Sequence, residues 1–330
     1  MILPKSSIDH EAERAAEQQR DIVLHTLCEI ERICSSLQDI NPHLLGQQSS
    51  CSSLSDVIYN PALVSAHTPL DYGATREMKS YEDYAEGMRR LVVLAIDYTN
   101  TMKPIADIAA SEKTKNRHSL KGGSIALIRS FVASFCVFVT LYQSVQDSEN
   151  SCRILLPNGI YVSETTPTHL FTEYIDSKLI RGIGQRIENA RASMTEMLQQ
   201  SMKQLNLTTT EYVCLKAIIA LDPHASQISA QTAQMLTTAR ESVQSALYSH
   251  LSQHLSPMDA IARFGKLLML LSNISKIGAL ITNIMQMGRE FDQTSLTNPS
   301  AFNNKPSTFF SSSSLMARLF TNDEPLVCAL

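Results

Sequence analysis

Residues 125–142 read IALIRSFVASFCVFVTLY, a run of mostly apolar side chains about as long as a bilayer is thick. A helix that is apolar all round needs cover on every side, either from lipid or from other helices. Lys113, Lys115, Arg117 and Lys121 precede the run and resemble a positive membrane flank. Arg129 lies inside it, however, and Ser130, Ser134 and Thr140 interrupt it. The expectation is therefore a buried central helix over 119–144, not a membrane span. The rest of the chain must supply its cover.

The composition suits that task. Of 330 residues, 44% are hydrophobic, and there are only 11 Gly and 12 Pro to break helices. An all-α fold follows, and a many-stranded sandwich is disfavoured. Lys and Arg number 28 against 32 Asp and Glu, a net charge of −4, so the basic excess of a nucleic-acid binder is missing. Seven cysteines are scattered with no CxxC pair, which argues against a zinc module or a disulfide framework. The first residues lack an apolar leader. A reducing compartment, nucleus or cytoplasm, fits best.

Along the chain, 9–38 reads as a helix that becomes amphipathic from Ile22. Residues 1–20 form an N-terminal extension, and 46–80 read as a long loop or insertion. A long helix over about 82–108 carries Met88, Leu91, Val92, Ala95, Tyr98 and Met102 on one face. Two β-rich arms around Pro157-Asn158-Gly159 form a hairpin, the only strand signal. Helices follow over about 177–204, from the capping box Thr208–Glu211 to Asp222, from Ser229 to about 253, and from Pro257 to about 291. The last is apolar on two faces, which suggests burial plus a partner surface. Residues 293–314 read as a flexible Ser/Thr/Asn-rich tether, followed over 315–330 by an amphipathic segment, Leu315 to Phe320, and a tail.

Catalytic constellations are missing. Gly182-Ile-Gly184 is half a dinucleotide fingerprint with no strand before it, Lys121-Gly-Gly-Ser124 lacks phosphate-loop spacing, and His10-Glu11 lacks a second His. The chain is read as a non-enzyme with no metal and no cofactor.

LTTTEYVCLKAIIALDP, ISAQTAQMLTTARESVQSAL and RFGKLLMLLSNISKIG, between Leu207 and Gly278, resemble the C-terminal half of a nuclear receptor ligand-binding domain. SLKGGSIALIRSF and MRRLVVLAIDYTNTMKPIADI resemble its N-terminal helices more faintly. The resemblance spans about 20–292, a domain taken as 21–292, in a divergent form nearest the retinoid X and hepatocyte nuclear factor type. It implies a three-layer antiparallel helical sandwich around an apolar pocket, with one small β-hairpin.

The resemblance also assigns roles. It implies a transcription regulator in the nucleus that binds a small hydrophobic ligand, a dimer partner or itself, and coregulator helices. The alternative is a ligand-independent helical scaffold or dimerising corepressor. Pocket positions inferred from inward faces are Leu91, Ala95, Ile128, Phe131, Phe135, Leu156, Ile183 and Ile187. The dimer helix would present Phe264, Leu267, Leu271, Ile274 and Ile281, flanked by Leu270 and Ile277. Glu211 and Arg263 stand where the family has a buried ion pair. Leu315, Met316, Arg318, Leu319 and Phe320 resemble the activation helix, and Thr101 and Lys103 lie near the coregulator groove.

Departures qualify these roles. Thr101 replaces the groove's clamping Lys, and Arg318 its Glu, so coactivator binding should be weak. The pocket Arg of acid-binding members falls at Phe135, so a neutral ligand is expected. The family's zinc-finger module has no counterpart in the cysteine spacing, so the chain is expected to lack direct nucleic-acid binding.

Overall fold

The computed structural model describes residues 7–40, 54–102, 121–147, 152–172, 177–296 and 315–320. In chain order, helix α1 is Ser7–Ser36, α2 is Leu54–Tyr59 and strand β1 is Asp71–Glu77. Helix α3 is Tyr81–Thr101 and α4 is Lys121–Gln146. Strands β2 (Ile154–Leu155) and β3 (Asn158–Val162) lead to a short α5 (His169–Thr172). Helix α6 (Ser177–Ala192) runs through a π-helical stretch, Ser193–Gln199, into α7 (Gln200–Leu205). The remaining helices are α8 (Thr209–Ala220), α9 (Ala230–His254), α10 (Pro257–Leu296) and α11 (Leu315–Phe320).

Local chemistry sets several of these boundaries. Ser80 and Asp83 form a reciprocal capping box that opens α3, and Thr208 with Glu211 does the same for α8. The Ser229 hydroxyl caps α9 through the Thr232 amide at 3.1 Å. Asn206 takes a left-handed φ of +46° and closes α7, with its amide donating back to Met202 and Lys203.

Helix α4 is the centre. Its window from Ile125 has a mean hydropathy of 2.0 and is 78% buried, so protein covers the run that opened the sequence argument. Helices α3, α7, α8 and α10 pack directly on α4, α1 packs in turn on α3, α8 and α9, and α6 packs on α10. This all-helical packing with one small sheet is consistent with the expected fold class. Helix α10 is also long and apolar enough to cross a membrane, but only 39% of its window is buried.

The sheet differs from expectation. β2 and β3 form the hairpin, with Ile154 opposite Val162 and Leu155 opposite Tyr161. A third strand, β1, runs parallel to β3 and makes the order β1-β3-β2. It falls within 46–80, read from the sequence as loop. DYGATRE has poor strand propensity and no apolar alternation; its pairing comes from a neighbour far along the chain. Helix α10 also runs on to Leu296, past the expected start of the tether at 293; residues 297–314 and 321–330 are outside the described residues.

A buried polar group sits in the core. Lys216 is fully buried, with Nζ 2.7 Å from Glu31 Oε2 and 4.9 Å from the ring centres of both Tyr98 and Phe135. The carboxylate and the ring faces together compensate the charge. This contact ties α1 directly to α8.

Candidate functional site

An apolar cavity of about 110 Å³ lies between α3, α4, the sheet, α5, α6 and α10. Tyr81, Tyr84 and Met88 come from α3, and Ala133, Cys136, Val137 and Thr140 from α4. Ile154, Leu156 and Val162 close the sheet side, and Phe171 the α5 side. Ile187, Ala190, Arg191 and Met194 follow α6 into the π stretch, and Ile281, Ile284 and Met285 close the α10 side. Tyr84 and Phe171 meet edge to face at 5.2 Å and brace the rim. Burial pushes the Cys136 thiol up to about 12.

Two of the eight sequence-predicted pocket residues, Leu156 and Ile187, are on this wall. Ile183 is buried one turn away, against Ala190 and Ile284. Leu91, Ala95, Ile128, Phe131 and Phe135 are buried in solid core instead. Phe135 packs 5.5 Å from Tyr98 and 5.9 Å from Phe131, under Lys216. The correction has one physical reason. An all-round apolar helix gives no clue to its rotation, and α4 turns its 133-136-137-140 face to the cavity.

Arg191 is the charged group on the wall among the described residues. Its Nε donates to Glu188 Oε2 at 3.0 Å, Nη2 meets the same carboxylate, and Nη1 donates to the carbonyl oxygens of Ser163 and Glu164 at 2.6 and 2.8 Å. The guanidinium is committed to its own surroundings.

Across α4 lies a second hollow, a polar cleft between α4 and α10. Its lining includes Ala126, Arg129, Ser130, Ala133 and Ser134 from α4, and Ser275, Gly278, Thr282, Asn283 and Gln286 from α10. The helices approach most closely beside it, where a Cβ on Gly278 would lie 2.9 Å from the Ser134 amide nitrogen. Helix α11 packs against α4, α10 and α2. Arg129 Nε and Nη2 donate to the Arg318 carbonyl at 3.1 and 3.0 Å, and Leu319 and Phe320 are buried. The side chains of Leu315 and Met316 are outside the described residues.

Glu211 and Arg263 meet through two parallel bonds, Nε to Oε1 at 2.7 Å and Nη2 to Oε2 at 2.8 Å. Burial raises the Glu211 pKa, but Arg263 and the Thr208 amide more than offset this and leave it below the usual carboxylate value. Thr101 faces inward. Its hydroxyl donates to the Asp97 carbonyl at 2.8 Å and accepts from the Cys34 thiol. Lys103 is outside the described residues.

The expected dimer face is also corrected. Leu267, Leu270, Leu271, Ile274 and Ile277 are buried within the chain, and Phe264 and Ile281 are half-buried against its core. Helix α10 has cover on two sides, so both apolar faces serve the fold. The outward-facing positions are instead Met258, Ile261, Gly265 and Met269, with Met258 77% and Met269 70% exposed.

Sequence reasoning missed a charged cluster beside α3. His67 Nδ1 lies 3.2 Å from Asp39, and its Nε2 lies 3.1 Å from Asp97. The hydrogen bond to Asp97 chiefly raises the His67 pKa, Asp39 adds to this, and burial opposes it. Arg90 sits beside them, almost fully buried, with Nε donating to the Thr68 carbonyl at 2.7 Å.

The family model for the ligand-binding domain of nuclear hormone receptor matches residues 123–291. Among curated proteins, nuclear hormone receptor family member nhr-3 of Caenorhabditis elegans is 34% identical over 269 residues, 81% of this chain and 55% of that protein. Family member nhr-97 of the same organism is 27% identical over 247 residues, 74% of this chain and 50% of that protein. Family member nhr-31 is 25% identical over 226 residues, 68% of this chain and 35% of that protein. The chain thus spans about half the length, or less, of these curated relatives.

Proposed function

Because the chain belongs to the nuclear hormone receptor family through its ligand-binding domain, we propose that its regulatory state is set by a small hydrophobic molecule in the cavity bounded by α3, α4, the sheet, α6 and α10. The observation that carries this reading is the apolar hollow itself, lined by side chains of α3, α4, the sheet, α5, α6 and α10. The charge of Arg191 is matched by Glu188, which favours a neutral ligand. Occupancy would act as a population shift on α11, whose docked state rests on Arg129 and on burial of Leu319 and Phe320.

Two binding surfaces complete the reading. The outward stripe of α10 is the face for a second receptor subunit, since it is apolar and unused within the chain. Gly265 lies on it with open space around its Cβ position. Coregulator helices dock weakly, because Thr101 turns inward and Arg318 puts a positive charge where the resemblance calls for a carboxylate. Nuclear location goes with the family.

The cavity's size favours a second reading. Drug-sized pockets measure roughly 300–1,000 Å³, and this one is near 110 Å³. A scaffold that keeps the partner surfaces without a ligand would have such a remnant. Native mass spectrometry of the full chain separates the two readings. A dimer carrying the extra mass of a small lipophile is expected. A bare monomer would overturn ligand and dimer together and leave the scaffold.

A further inference from the structure

Helix α2, Leu54–Tyr59, has only six residues. An isolated helix needs roughly 12–15 to hold in water, and Val57 and Ile58 are β-branched, which lowers helix propensity further. Its surroundings therefore impose the helix. Leu54, Val57 and Ile58 share one face at spacing i, i+3, i+4 and are 4%, 0% and 6% exposed. Asp56 and Tyr59 turn to solvent.

The buried face rests on a seat built from distant parts of the chain. Helix α2 packs against α4 and α11. The end of α3 adds Asn100, whose Nδ2 donates to the Ile58 carbonyl at 2.8 Å. The last carbonyls of a helix have no partner within it, so this bond satisfies one of them from outside. Apolar anchors at i, i+3 and i+4, with the final turn capped by the host, are how a peptide helix lies in a groove. The end of α3 and α11 are also where the proposed reading puts coregulator docking.

We propose that α2 is an internal occupant of a partner seat formed by α3, α4 and α11. The partner taken there when α2 leaves is an amphipathic helix with apolar residues at i, i+3 and i+4. The inference rests on the coregulator reading above and adds a segment of the chain that competes for the surface. That competition needs little affinity. A tethered segment acts at an effective concentration of about a millimolar, and a partner binds only the fraction of molecules whose seat is open.

A fluorescein-labelled peptide of residues 52–63 tests this by polarisation against the full chain, beside the same peptide carrying Val57→Leu and Ile58→Leu. In the chain itself, Val57→Asp with Ile58→Asp frees the seat, and Val57→Ala with Ile58→Ala frees it more mildly. If the seat is open in about 1–10% of unaltered molecules, the aspartate double variant should bind either peptide about ten- to a hundredfold more tightly than the unaltered chain. The alanine double variant should fall between them, and it carries the comparison alone if the aspartate one unfolds. Adding Asn100→Ala to the released chain should then weaken binding about two- to tenfold, because peptide and α2 use the same donor. Equal binding by released and unaltered chains, or no effect of Asn100→Ala, would overturn the inference and leave the coregulator surface standing. Binding of neither peptide by any chain, with the alanine double variant melting within a few degrees of the unaltered chain, would remove that surface as well and make α2 a buttress of α11.

Discussion

The fold favours the protonated form of His67. It lies between Asp39, which follows α1, and Asp97 on α3, with the Arg90 guanidinium nearby. Its folded pKa is raised above 6.5. The stabilisation is therefore complete below that value and is lost as pH rises through the folded pKa. We expect the melting temperature to fall by about 2–4 °C as pH is raised across that window, and the slope to disappear in His67→Gln. A slope unchanged by the substitution would assign the effect to another group. The Glu211–Arg263 pair was expected only through the family resemblance of the helices that carry it, not through any pattern of their own. His67 was not, because its segment has no periodicity and its partners are 28 and 30 positions away. Lys216 was hidden differently: a lysine inside an apolar run looks like a misfit until Glu31 and the rings are placed around it.

Whole elements show the same division between pattern and context. Capping boxes and periodicity located the starts of α3, α8, α9 and α10 closely. The rotation of α4 was illegible, and with it most of the cavity wall; the outward face of α10 was misjudged for the same reason. Strand β1 was missed because its sequence does not prefer a strand. Two glycines in α10 test the packing that emerged. Gly265 has open space around it, so Gly265→Ala should stabilise the monomer by about 0.5–1 kcal/mol. On the proposed reading it should also weaken self-association, measured by analytical ultracentrifugation. Gly278 faces the α4 backbone, with Ser134 Cα 3.0 Å from its would-be Cβ. Gly278→Ala should therefore destabilise by about 1–3 kcal/mol in a thermal or urea melt. The opposite order would mean that the α4–α10 seam is looser than the structure describes.

At the scale of the whole molecule, the covered helix α4 packs against the sheet, α10 and α11 alike. The sequence conveyed that such a helix needed cover, and hence the fold class; it could not convey where the cover leaves a hollow, since that depends on how side chains from five or more elements meet. The two hydrogen bonds from Arg129 to the Arg318 carbonyl link α11 to α4. Arg129→Ala should raise amide hydrogen exchange in 315–320 without lowering the melting temperature appreciably. Unchanged exchange would mean that Leu319 and Phe320 hold α11 by burial alone.

Ala133 belongs to the walls of both the apolar chamber and the polar cleft. At that point a single residue of α4 separates the apolar hollow from the polar one, beside the close approach of Gly278 to Ser134. A close-packed interior transmits small displacements instead of absorbing them. On the proposed reading, a guest pressing on Ala133 from the apolar side would deform the polar cleft behind it, so occupancy of one hollow would be felt as a change of shape in the other.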